Sequence, residues 1–150
     1  MNVYERLRGT VLARTGNSES GKRIFTAHCA ACHAFAGTDS RLGPDLSGIR
    51  NQPADAILLH VLVPDYEIAP GYQAYAVETR DGKTLFGRLE SEAPNSLTLR
   101  DAVSQSHVIL RSQVVSMSAS ASSLMPNELE RAISEQELAD LISYLKTGQP

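Results

Sequence analysis

The sequence predicts a mainly α-helical domain that carries a β-rich insertion of four or five short strands. Three observations predict it. Apolar residues recur at helical spacing in three stretches, near 18–29, 54–63 and 134–147. Between the last two, roughly residues 72–118 alternate in strand-like runs broken by turn residues. The chain has 150 residues, 42% hydrophobic and 21% charged, which suits one globular domain, or one domain with an insertion.

Composition also excludes classes. Disordered, collagen-like and disulfide-scaffold chains do not look like this. No apolar run approaches the ~18 residues of a membrane-spanning helix. The net charge is −3 with acidic and basic residues interleaved, so no basic stripe offers itself to nucleic acid. Residues 1–17 lack the apolar core of a secretory leader and carry Glu5. They read as a linker or a leading helix, ahead of a domain at 18–148.

The first helix of that domain runs through Ser20-Gly21-Lys22-Arg23-Ile24-Phe25, with Ile24, Phe25, His28 and Cys29 on one face. A second spans residues 54–63, stopped by Pro64, with Ile57, Leu58, Val61 and Leu62 as its apolar face. The last is the best marked. Ser134 and Glu137 form a capping box, and Leu138, Leu141, Ile142 and Leu145 follow at i, i+3, i+4, i+7. Lys146 and Gly148 end it, Gly148 as a left-handed cap.

In the insertion, Asp81-Gly82 is a hairpin signal and Ala93-Pro94-Asn95 a turn. The strand-like runs suggest a small curled sheet or barrel-like meander.

The two cysteines carry the chemistry. Cys29-Ala30-Ala31-Cys32-His33 is the attachment signature of a c-type haem. The spacing lets both thiols reach the vinyl groups of one porphyrin while His33 turns to the iron. Three other readings compete: a Cys29–Cys32 disulfide, a zinc site and a buried structural thiol pair. A redox disulfide motif follows a strand, whereas Cys29 follows a helical pattern. Zinc needs a second close ligand pair, and His28, His60 and His107 are scattered.

Leu42-Gly43-Pro44-Asp45-Leu46 follows the haem motif, then comes Met125-Pro126, then the last helix with Tyr144. In this order the chain resembles the class I c-type cytochromes, and the resemblance implies their fold, three or four helices around the haem. It implies that Pro44 C=O accepts a bond from His33 Nδ1, which fixes the imidazole's orientation. It implies that Tyr144 packs on Gly21 and Phe25 where the first and last helices cross. It makes Met125, in the loop Ser123-Leu124-Met125-Pro126, the distal ligand opposite His33. Met117 lies in a strand-like run and is expected in the core; His60 and His107 are the remaining ligand candidates. The haem contacts expected are Cys29, Cys32, His33, Pro44, Leu46, Phe25, Met125, Arg41, Arg50 and Tyr72, with the two arginines facing the propionates.

The insertion, with Ile68-Ala69-Pro70-Gly71-Tyr72 before it and the Met-Pro loop after it, narrows the resemblance. It resembles a haem-binding domain found at the C-terminal end of large multi-domain bacterial proteins, behind dehydrogenase-like modules. The resemblance implies one covalent haem c, an extracytoplasmic or periplasmic location with the leader outside this chain, and one-electron transfer between a redox partner, such as a fused dehydrogenase domain, and an acceptor. Such a chain is an electron-transfer protein, not itself an enzyme. Two other functions stay open: a haem sensor with a labile sixth ligand, and a docking module whose insertion binds a partner.

Overall fold

A computed structural model describes residues 2–148; Met1, Gln149 and Pro150 lie outside the described residues. The chain forms two compact units, residues 2–67 with 126–148, and residues 68–125.

The first unit holds four helices: α1 (Val3–Leu12), α2 (Ser18–His28), α3 (Ala54–Leu62) and α4 (Glu135–Thr147). Their starts follow from side-chain caps. Asn2 Oδ1 accepts the Glu5 N–H and Asn17 Oδ1 the Ser20 N–H, both at 2.9 Å. Ser134 and Glu137 form the expected capping box. α3 starts behind Pro53 and stops at Val63, before Pro64. α4 ends differently from expectation. Gly148 is extended (φ −60°, ψ 139°), because its N–H closes the helix on Tyr144 C=O without a left-handed residue.

Residues 3–12 are a helix, not a linker. Its Leu7 and Val11 are buried in the same core as Phe25, Leu58, Leu141 and Leu145. All four stripe residues of α4 are buried too. Each such side chain contributes roughly 1.5–3 kcal/mol through burial. On α2 the apolar face is narrower than its pattern suggested. Phe25 is 1% exposed, yet Ile24 is only half-buried and His28 is exposed.

α2 and α4 pack closely at Gly21. A Cβ there would overlap the Asp140 carbonyl oxygen and lie 2.7 Å from Tyr144 Cβ. The missing side chain is what allows the approach. Beside it Phe25, Phe35 and Tyr144 form an aromatic triad, with centroids 5.2–5.7 Å apart in tilted and edge-on pairs. Asp140 is 6% exposed and accepts the Asn17 N–H at 2.8 Å, tying the start of α2 to α4.

The second unit is a five-stranded antiparallel sheet: β1 (Ala74–Thr79), β2 (Thr84–Glu92), β3 (Ser96–Arg100), β4 (Ser106–Leu110) and β5 (Val114–Ala119). Its order is β4-β3-β2-β1-β5, so four strands meander and the fifth returns beside the first. Val77, Leu97, Leu99 and Ile109 form its core, packed with Tyr75, Leu85, Leu89 and Val114. Alternation puts Val108 and Leu110 on the opposite, open face. Met117, expected in the core, is exposed: it faces Val77 from β5, an edge strand with a neighbour on one side only. The two ends of the unit are joined. Tyr75 pairs with Ala119, the Ser120 N–H bonds Ala74 C=O at 2.8 Å, and Gln73 Nε2 donates to Ser120 C=O.

Candidate functional site

The site grows out of the end of α2. Cys29 caps the helix, its N–H still bonded to Phe25 C=O at 2.8 Å. One further turn follows, in which the N–H groups of Cys32 and His33 both return to Cys29 C=O, at 3.0 and 2.9 Å. Cys29 and Cys32 therefore sit on one turn. Both are half-buried free thiols, not a disulfide. Burial pushes the Cys29 thiol up to about 11, with Cys32 adding to it; burial also raises Cys32.

A loop then wraps back over this turn. Gly43 N–H bonds Cys32 C=O at 2.7 Å, Leu46 N–H bonds Ala34 C=O at 2.8 Å, and Ser40 Oγ donates to Ala31 C=O at 2.7 Å. Thr38 is the loop's hub. Its Oγ1 accepts the Phe35 N–H at 2.9 Å and lies 3.0 Å from His33 C=O and 2.9 Å from Phe35 C=O, either of which can take its proton.

These bonds set His33. Its Nδ1 lies 2.7 Å from Pro44 C=O. A carbonyl only accepts, so Nδ1 carries the proton and the Nε2 lone pair is left for a ligand. Burial lowers the imidazole below its usual range, partly opposed by the Pro44 bond, which keeps the ring neutral as a ligand must be. Gly43 lies under the ring: a Cβ there would stand 2.7 Å from His33 Cε1 and 3.0 Å from both nitrogens. A flat side is thus kept clear for the imidazole.

The structure brings Cys29, Cys32, His33, Pro44 and Leu46 together in the first unit. Phe25 lies behind them in the aromatic triad. Arg41 and Arg50 are exposed on the same unit. Arg41 helps lower the Asp45 carboxyl, after the larger effects of the Ser47 hydroxyl and N–H. Arg50 C=O, with Gln52 C=O, accepts Lys146 Nζ at 2.7 Å, which fastens this loop to α4. Tyr72 and Met125 belong to the second unit. The Arg88 guanidinium lies over the Tyr72 ring at 4.2 Å, and the Met125 N–H bonds Ser123 Oγ at 3.1 Å.

The other histidines have other company. His28 is exposed, His60 is 3.7 Å from Glu67, and His107 Nε2 is 2.8 Å from Asp101 Oδ2. Among the described residues no group of three or more His, Cys, Asp or Glu side chains is placed to hold a metal ion. Sequence reasoning missed Phe35 and Thr38. The signal for Phe35 was its aromatic ring two residues past His33; Thr38 had none beyond lying next to Gly37.

The residues fit a covalent haem. Two thiols and one oriented, neutral imidazole are presented from a single turn, and the missing side chain of Gly43 leaves room for the ring. The site and the helical frame together define a c-type haem domain. A model of the cytochrome c family matches residues 18–92, half of the chain, from the start of α2 to the end of β2, and the chain belongs to that family. Its cofactor is haem c, bound covalently, and Cys29 and Cys32 are the cysteines the chain has for that bond. Over 53 residues it is 36% identical to a cytochrome c-553-like protein of Synechocystis sp.; the match covers 35% of this chain and 50% of that protein. The chain thus spans about half the length of that curated relative.

Proposed function

We propose that the chain is a monohaem electron carrier, with Cys29 and Cys32 as the thioether anchors, His33 as the proximal ligand and Met125 as the distal one. The observation that carries this is the His33 Nδ1–Pro44 C=O bond of 2.7 Å on the same turn as both thiols. Bound there, the haem iron supplies one-electron exchange between its ferric and ferrous states. The chain's residues do the rest. Pro44 fixes the tautomer of His33 and makes its free nitrogen more basic. Thr38, Ser40 and Gly43 hold the loop so that His33 keeps one orientation in both redox states. Leu46, half-buried against the helical core, helps to keep water from the ligand side.

Met125 is supported by its half-buried position in a loop ended by Pro126 and by the family pattern. A thioether ligand raises the reduction potential and closes the iron to other ligands, which favours electron transfer over sensing. Arg41 and Arg50 are our candidates for the propionates, as exposed cations on either side of the Gly43-Pro44 loop; Phe25 and Tyr72 complete the proposed contacts. The redox partner is read as a dehydrogenase module in an extracytoplasmic compartment. The residues at 68–72, the β insertion and the Met-Pro loop support that narrower reading.

The test is a pyridine haemochrome spectrum with spectra of both redox states. Thioether-type bands are expected, together with the weak red charge-transfer band of methionine-ligated ferric iron. Met125→Ala removes that band and Met117→Ala leaves it. A spectrum without c-type bands overturns the haem reading; loss of the band in Met117→Ala overturns the ligand assignment.

A further inference from the structure

Sheets in natural proteins guard their edges with charges, prolines or bulges, because an open edge pairs with other chains. This sheet is charged in the wrong place for that. Its charged residues lie on the inner strands: Glu78 on β1, Arg88, Glu90 and Glu92 on β2, Arg100 on β3. The edge strand β4, Ser-His-Val-Ile-Leu, carries no Lys, Arg, Asp, Glu or Pro. It pairs with β3 in unbroken register over its full length, from Ser96↔Leu110 to Arg100↔Ser106. The other edge, β5, is uncharged too, but a bulge between Glu78 and Thr79 breaks its register.

The phase of the β3–β4 ladder says which groups face outward. Arg111 N–H bonds Asn95 C=O and Asp101 N–H bonds Gln105 C=O. Bonded pairs alternate along an antiparallel ladder, so His107 and Ile109 bond inward to β3. Ser106, Val108 and Leu110 therefore turn their N–H and C=O to the open edge. On the open face the Val108 and Leu110 side chains are 71% and 55% exposed.

We propose that β4 is a self-pairing edge, and that two copies of this chain join their sheets antiparallel about Val108. In that register Val108 of one copy faces Val108 of the other and exchanges both backbone bonds with it. Ser106 faces Leu110, and Ile109 faces His107. Just beyond, Arg111 faces Gln105, so no two like charges oppose one another across the pair. Arg111 is also held by Glu92 at 2.6 Å, and Glu90 by Arg100, which leaves the flanks nearly neutral. A charge at position 108, on the two-fold, would set like against like; Val108 carries none. Five residues bury less than the ~1,200 Å² of a standard stable interface. The dimer is therefore weak and concentration-dependent, and the same two sheets read side by side form a continuous ten-strand sheet.

The experiment is sedimentation equilibrium of the haem-loaded protein from micromolar to millimolar concentration, with amide hydrogen exchange on the same samples. Association should rise with concentration, and the amides of Ser106, Val108 and Leu110 should slow with it, while those of His107 and Ile109 are already protected at dilution. Val108→Lys sets two ammonium groups face to face and should raise the dissociation constant at least ~10-fold; Leu110→Ser, a milder change at an exposed position, should weaken it in the same direction. Val115→Lys on β5 should leave it unchanged. Monomer at every concentration overturns the proposal, and so does association that Val115→Lys abolishes and Val108→Lys spares. The haem spectrum of each sample separates this outcome from the carrier reading, since the pairing does not depend on it.

Discussion

Gly21→Ala and Gly9→Ala make a matched pair with opposite expected signs. Both glycines lie inside helices, where alanine is favoured by roughly 0.5–1 kcal/mol. A Cβ on Gly9, in α1, meets nothing within 4 Å, so the substitution should stabilise by about that amount. A Cβ on Gly21 overlaps the Asp140 carbonyl oxygen and stands 2.7 Å from Tyr144 Cβ. Carbon atoms pack well at about 3.5–4.0 Å, so α2 and α4 must part by about 1 Å. A backbone oxygen has no rotamer through which to yield, and the parting loosens the Phe25–Tyr144 contact. Overpacking of this kind costs about 1–3 kcal/mol, and the fixed obstacle places it at the upper end. After the helix gain, a net loss of about 2 kcal/mol remains, or about 4–8 °C in Tm for a chain of this size. Thermal and urea unfolding of the haem-loaded variants measure it. If Gly21→Ala stabilises as Gly9→Ala does, the close crossing of α2 and α4 is wrong, and with it the placement of the Cys29 turn.

Three further outcomes follow from the same structure. Thr38→Val keeps the shape but leaves the Phe35 N–H without its acceptor; a loss of about 1–3 kcal/mol is expected, read by urea unfolding, with a haem spectrum altered through His33. Asp140→Ala removes the acceptor shared by the Asn17 N–H and Gln136 Nε2, and should cost about 2 kcal/mol in the same assay; a neutral result would mean that the start of α2 is held by other means. Asp101 is held below the usual carboxylate range by the His107 bond first, then by the Gln105 and Val103 N–H groups. Its folded value lies below its unfolded one, so its stabilisation is present above the unfolded value of about 4 and is lost as pH falls through the folded one. The Val103 and Gln105 amide shifts should therefore move below the ordinary aspartate value, and a titration at that value would refute it.

What could be read in the sequence was whatever rests on local periodicity and short motifs. The stripe of α4, its capping box and the Asp81-Gly82 turn all depend on neighbours within a few residues, and all appear where expected. The pairing of His33 with Pro44 was legible only through family resemblance, since eleven residues of irregular loop carry no periodic signal. Met117 misled because alternation tells which face a residue takes but not whether its strand lies inside the sheet or at its edge. His28 misled for a related reason: the helix that carries it is buried along a stripe narrower than its spacing allows. Thr38 and Asp140 were silent because a single polar residue acquires its role from partners that tertiary structure supplies.

The sewn ends of the second unit bear on how the chain closes. With Ser120 bonded to Ala74 and Tyr75 paired to Ala119, the β insertion leaves and re-enters the chain at neighbouring points. Closing an unstructured loop of about fifty residues, rather than a link of about eight, would require about 1.5 kcal/mol more of chain entropy. A sheet whose first and last strands lie side by side therefore turns a long excursion of the chain into a short one. Sheets of other lengths can occupy this position at similar entropic cost, provided that their first and last strands lie side by side.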